Sequence, residues 1–328
     1  MSASSKDYAR LFAHLHTNRN AQRWSAETMY RAPHKPFLLL AIMDLIAQGV
    51  ISNRLIRLDT DLVDAFELYW TKVIGRPSHG KIALPFYHLH SDSFWHLVPV
   101  HGMEQALAAT RSVDSIVGLR RLVLGSTLDE DLFALLVDAR RRDELRRILV
   151  ETYFAPEVRP HVVEASHITA ESFEYSRELL QRSRGRFTIR EVPEADEQYR
   201  TESRSTAFRR VIVEAYSHMC ALCGVRLQTP EGHTAVAAAH IVPWSVSHND
   251  DPRNGLALCG LHHWAFDEGL ITVAPDCRVV VSTIVPRDDS AATPLLALAS
   301  SPLRQPADHA LHPADEACAW HRKKIFRA

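Results

Sequence analysis

Residues 220–244 read CALCGVRLQTPEGHTAVAAAHIVPW, and this stretch decides the fold. Cys220 and Cys223 are spaced like metal ligands, and a hairpin's length later an imidazole, His240, stands in an apolar run. A second short-spaced pair follows, Cys259-Gly-Leu-His262. Two such pairs on separate turns supply four soft or borderline ligands to a tetrahedral ion without strain, so one structural Zn²⁺ is expected at Cys220, Cys223, Cys259 and His262. The chain has five cysteines, an odd number, and Cys277 and Cys318 stand alone. That pattern favours a reducing compartment and a metal site over disulfides.

Between and beyond these pairs lie polar residues that zinc does not need. His240 is followed by Asn254 in NDDPRNGLALC, then by His263 and Asp267 in HHWAFDEGL. On a helix, positions i and i+4 share a face, so His263 and Asp267 can grip one ion from one side, and a second, harder divalent ion fits that pair. Taken singly, His240 reads as a core histidine, Asn254 as a turn residue and His263 as a donor beside the zinc. Their joint order favours a site.

With the motifs AAHIVPW, NDDPRNGLALC and GLHHWAFDEGLI, residues 208–283 resemble an HNH endonuclease domain, the ββα-metal fold, in the subgroup with a zinc-stapled hairpin. The resemblance implies that His240 is the general base, that Asn254 holds the base-bearing loop, and that His263, with Asp267, binds the catalytic ion, Mg²⁺, Mn²⁺ or another divalent metal. Many HNH enzymes carry a further metal ligand just before the base. Here that position is Ala239, which leaves the ion to His263, Asp267, water and phosphate.

At 328 residues the chain is long enough for two or three domains. PHKPFLLLAIMDLIAQGV (33–50) and TDLVDAFELYWTKVI (60–74) read as helices, and the aromatic-rich segments around Ser91-Asp92-Ser93 as a hairpin after a Gly-containing loop. Residues 103–154 read as helical throughout, the run Arg140, Arg141, Arg142, Arg146 and Arg147 as a solvated face balanced by Asp143 and Glu144. GLITVAPDCRVVVS alternates like a strand pair, and a surface wrap follows it. The expected fold class is α+β and multidomain: a DNA-reading domain over 1–101, a helical middle region over 102–182, a linker over 183–203, and an HNH nuclease domain with C-terminal wrap over 204–328.

A nuclease needs something to choose its target. PHKPFLLLAIMDL and IALPFYHLHSDSFWHL resemble the DNA sulfur-binding domain that precedes HNH modules in McrA-type, modification-dependent (type IV) restriction endonucleases. There an apolar cup receives the sulfur of phosphorothioate DNA, which is softer and less hydrated than oxygen. The resemblance implies His34 and Lys35 as backbone contacts, Pro85 as cup wall, and Leu84 and His88 as cavity residues that differ from the family's usual ones. The implied partner is modified or foreign double-stranded DNA, met by a homodimer, in a cytoplasmic phage-defence role. A sequence-specific type II restriction endonuclease and an inactive DNA-binding module are the alternatives. The net charge of −1 gives no global pull toward DNA, so affinity must come from local patches. The N-terminus MSASSKDYARLFAHL has charges where a signal peptide needs an apolar run, and no stretch is long enough to span a bilayer, which excludes a membrane partner.

Overall fold

From Lys35 to Ile46 every residue of one helix is buried, as an apolar sequence without a polar face demands. The computed structural model describes residues 7–75, 82–189 and 202–328, which form two compact units: 1–170 with 230–232, and 171–229 with 233–328. In the first unit the elements are α1 (Tyr8–Ala13), the buried α2 (His34–Ala47), β1 (Leu55–Ile56), α3 (Thr60–Ile74), α4 (Ala83–His88), β2 (Trp95–Pro99), α5 (Glu104–Ala109), α6 (Ile116–Leu122), β3 (Val123–Leu128), α7 (Glu130–Val137) and α8 (Ala139–Tyr153). Asp59 caps α3 by accepting from the Leu62 amide at 3.0 Å, and Gly75 ends it at φ 74°. The long α9 (Arg159–Arg182) belongs to the first unit up to Ala170 and to the second from Glu171.

Two expectations are corrected here. The segment around residues 82–99 is not a hairpin: its first part is α4, with Pro85 tolerated in the first turn, and only Trp95–Pro99 is a strand. Its partner comes from the stretch expected to be helical. Val123–Leu128 forms the central strand of an antiparallel sheet in the order β1-β3-β2, with Leu55 opposite Thr127 and Trp95 opposite Leu128. Val, Gly, Ser and Thr in β3 are weak helix formers, and the two neighbouring strands supply the ladder that decides the matter. The Gly-containing loop at 76–81 lies outside the described residues.

The basic run on α8 also divides. Arg140 and Arg141 pair with Glu144 on the surface. Arg146 turns inward instead: its Nη2 lies 2.5 Å from Asp44 of α2, whose carboxylate also accepts from Tyr69 at 2.5 Å and Ser166 at 2.8 Å. A carboxylate buried in an apolar helix needs such partners, because an unpaired buried charge costs several kcal/mol.

The second unit comprises α10 (Glu202–Ala215), β4 (Val236–His240), α11 (Trp244–Ser247), β5 (Gly255–Cys259), α12 (Gly260–Asp267), β6 (Ile271–Val273), β7 (Val279–Val281), α13 (Thr293–Leu296) and α14 (Asp315–Lys324). β4 and β5 pair antiparallel from Val236 opposite Cys259 to His240 opposite Gly255, and the expected strand pair after the site is β6 with β7. Of the segment expected to be a linker, residues 190–201 lie outside the described residues, whereas Phe187 and Ile189 pack on this unit's core. No described helix is long and apolar enough to cross a membrane.

The terminal helix α14 closes the core under α12. His321 is 2% exposed; its Nε2 lies 3.0 Å from the Phe266 carbonyl and its Nδ1 2.9 Å from the Thr272 hydroxyl. Burial pushes the imidazole down to about 4, against the pull of the Phe266 carbonyl. The unfolded chain takes up this proton near pH 6.5 and the folded unit only near 4, so stability falls as pH drops through that window, by up to about 3 kcal/mol. Urea unfolding of this unit from pH 7 to 4 is expected to show that slope, and His321→Gln is expected to lack it.

Candidate active site and metal centre

The zinc cluster is assembled from the turn after α10 and the junction of β5 with α12. One donor atom from each of Cys220, Cys223, Cys259 and His262 lies within 4.8 Å of all the others, the only such group of three or more among the described residues. His262 Nδ1 is 3.4 Å from Cys220 Sγ and 3.2 Å from Cys259 Sγ, separations that suit four ligands about one tetrahedral ion. Burial alone raises the Cys220 thiol, but His262 and the amides of Cys223, Cys259 and Leu222 bring it down to about 6, the environment of a thiolate. Burial and the neighbouring sulfurs push Cys223 up to about 12, a repulsion that a bound dication removes. The wrap after β7 braces this turn: Arg304 donates from its amide to Ala221 at 2.9 Å and from its guanidinium to Leu222 at 2.8 Å. The residues fit structural zinc.

His240 ends β4 with its ring stacked on Phe208 of α10, centroids 3.9 Å apart and planes 6° off parallel. Gly255 stands opposite His240, and a Cβ there would collide with Phe208 and Ile212, so glycine lets α10 approach the hairpin. The imidazole Nε2 lies 3.0 Å from Asp250 Oδ1. A pocket of about 190 Å³ opens beside it, lined by Arg204, Ser205, Phe208, Arg209, His240 and Asp250 among others. Asn254 is fully buried; its side chain accepts from the Val242 amide at 2.8 Å and donates to the carbonyls of Val242 at 3.0 Å and Asn249 at 2.9 Å. It thereby knits the loop that leaves His240. Ala239, in the position where many HNH enzymes carry a metal ligand, is 0% exposed and offers only a methyl group to the core.

One turn apart on α12, His263 Nε2 and Asp267 Oδ2 lie 3.4 Å from each other, an ion pair facing partly to solvent. Neither lines the pocket beside His240. What connects the two places is electrostatic: partial burial raises the Asp267 carboxyl, and charge on His263 and on His240 opposes that rise. A nitrogen and a carboxylate oxygen on one helix face are donors that a divalent ion accepts.

Asp250 escaped the sequence reading. In NDDPRN either aspartate can be a turn residue, and Asp251 is one, capping the turn at Pro252–Asn254. Nothing in the local pattern tells which of the two aims at His240. Arg204 and Phe208, both on α10, were likewise invisible in the sequence as neighbours of the imidazole.

The implied DNA-reading residues do not all meet. Lys35 is not a solvated cation: its ammonium is buried 2.6 Å from Asp92 and 2.9 Å from Ser91. Burial lowers its pKa, and Asp92 restores part of the loss. His88 lies within its electrostatic reach, lowered by burial first, then by Lys35 and His90, with its Nε2 3.0 Å from the Ser112 hydroxyl. Pro85 is buried and Leu84 half-buried on the same short α4. His34 stands apart between Trp24 and Trp70, ring centroids 5.3 and 4.6 Å away.

A β-hairpin carrying a histidine, a helix carrying a second histidine, and a Cys₃His cluster joining them define a metal-stapled ββα unit. Residues 220–274 match the family model described as HNH endonuclease. The C-terminal region is therefore an HNH endonuclease domain, a family that indicates a nuclease acting on phosphodiester bonds. Among solved structures, one described as "Modification dependent TagI restriction endonuclease" is similar at 23% identity, over 36% of this chain and 37% of that one, with a TM-score of 0.29. The chain thus spans little more than a third of that protein's length. No curated protein matches the chain.

Proposed function

We propose that the protein is a restriction endonuclease that hydrolyses phosphodiester bonds of modified or foreign double-stranded DNA, with His240 as general base. The observation that carries this reading is the setting of His240: an imidazole held by a carboxylate and an aromatic face, at a pocket into which Arg204 and Arg209 bring positive charge. A neutral imidazole is a base matched to cellular pH. His263 and Asp267 would hold the divalent ion, which when bound stabilises the charge that develops on the phosphate. Asn254 keeps the loop after the base in register, and the zinc cluster fixes the two strands that carry the machinery. Cys220, Cys223, Cys259 and His262 therefore serve folding, and His263 with Asp267 serves chemistry.

The first unit would select the DNA. This part rests on the resemblance of its α2 and α4 segments to the sulfur-binding domain, with His34, Leu84, Pro85 and His88 as contacts and Lys35, bonded to Ser91 and Asp92, holding the segment after α4. Each chain has one catalytic centre, so cutting both strands would call for a second copy on the DNA.

The test is cleavage, with Mg²⁺ or Mn²⁺, of one plasmid prepared unmodified and with phosphorothioate, methylcytosine or hydroxymethylcytosine. Cutting confined to a modified form supports the reading. Equal cutting of all forms at one sequence turns it into a type II enzyme, and no nicking of any form with either ion overturns it.

A further inference from the structure

Asp250 has no assigned role, yet its surroundings are organised around one of its oxygens. Its side chain is 5% exposed. Oδ2 accepts from the Tyr175 hydroxyl at 3.1 Å and from Arg204 Nη2 at 3.1 Å, and the Arg204 guanidinium lies over the Tyr175 ring, 5.0 Å from its centroid. That leaves Oδ1 directed at His240 Nε2, 3.0 Å away. Burial pushes the carboxyl up, but the hydrogen bond and charge of His240 and the charge of Arg204 outweigh it and hold Asp250 below the usual carboxylate range. It is an anion that accepts and cannot donate.

We propose that Asp250 is the positioning residue of the base: by accepting from Nε2 it fixes the neutral imidazole as the Nε2–H tautomer and presents Nδ1 to the attacking water. Nδ1 makes no hydrogen bond to a described residue. As a water lone pair forms the new O–P bond, Nδ1 takes the water's proton; the P–O bond to the leaving oxygen breaks, and solvent returns a proton to that oxygen. Asp250 stays ionised and stabilises the imidazolium, as a carboxylate beside a histidine base does elsewhere. Phe208 fixes the ring plane while Asp250 fixes its rotation about that plane. The inference rests on the reading of His240 as base.

The groups that face His240 are Asp250, Arg204 and Arg209 around the pocket and, from α12, Asp267. For Asp250→Asn, kcat on plasmid DNA is expected to fall by about 10²- to 10⁴-fold with KM little changed, because the amide can hold the wrong tautomer. Asp250→Glu should recover part of the rate. In zinc-loaded wild-type protein without DNA, the ¹⁵N shifts of His240 should report the proton on Nε2, a measurement that decides the matter even if the variants fail to fold. Wild-type kcat in Asp250→Asn would overturn the proposal, as would a wild-type proton on Nδ1. If His240→Ala itself retains full activity, the reading of the base fails too; if it is inactive while Asp250→Asn is normal, only the role of Asp250 is lost.

Discussion

Stripping zinc from Cys220, Cys223, Cys259 and His262 is expected to unfold the second unit outright. The four ligands lie at the entry to the β4–β5 hairpin and at the joint between β5 and α12, so the ion is the link that holds helix to hairpin. Structural zinc binds with an apparent free energy of about 10–16 kcal/mol in finger-type sites, as much as the whole stability of a typical domain, about 5–15 kcal/mol. A chelator, or Cys220→Ser, should therefore abolish the unit's near-UV dichroism and its cooperative melting, with one zinc released per chain. The first unit carries none of the ligands and should keep its own transition. A melting temperature that stays within a few degrees after zinc removal would show that the core, and not the cluster, holds this unit together.

The second large effect concerns chemistry without folding. His240→Ala should reduce cleavage by about 10²- to 10⁴-fold, the usual worth of a positioned general base. Its ring is half-buried against Phe208 and a pocket, so truncation should leave zinc content and melting close to the wild type. His263→Ala should behave differently: with Asp267 alone on that face of α12, the divalent concentration needed for half-maximal rate should rise. Plasmid nicking across an Mg²⁺ or Mn²⁺ titration separates the two variants. Undiminished nicking by His240→Ala would remove the base from the reading.

The parts of this molecule that were legible in its sequence are those that local pattern determines. α2 and α3 could be read because an unbroken apolar run and an amphipathic repeat each permit one structure, and Asp59 and Gly75 punctuate the second. The zinc ligands could be read because ligand spacing is itself a local property. β3 was missed because its identity as a strand comes from β1 and β2, far away in the chain. Arg146 was missed for the same reason: nothing in an arginine-rich helix reveals that one of its side chains will meet Asp44. Lys35 was expected to face the DNA backbone because its buried partner, Asp92, is distant in sequence. Around His240, the sequence pattern singled out the imidazole and Asn254 as candidates, while Asp250, Arg204 and Phe208 became its neighbours only through the packing of α10 against the hairpin.

The last residues of the chain are no loose tail. Arg327 donates its amide to the Gly269 carbonyl at 3.0 Å, Ser282 bonds the Arg327 carbonyl, and the His321 ring lies face to face with Phe266. The folded body of the nuclease thus extends some fifty residues past the segment that the family defines. Cutting the polypeptide at that boundary would open the floor beneath α12 to water, the very helix on which His263 and Asp267 ride.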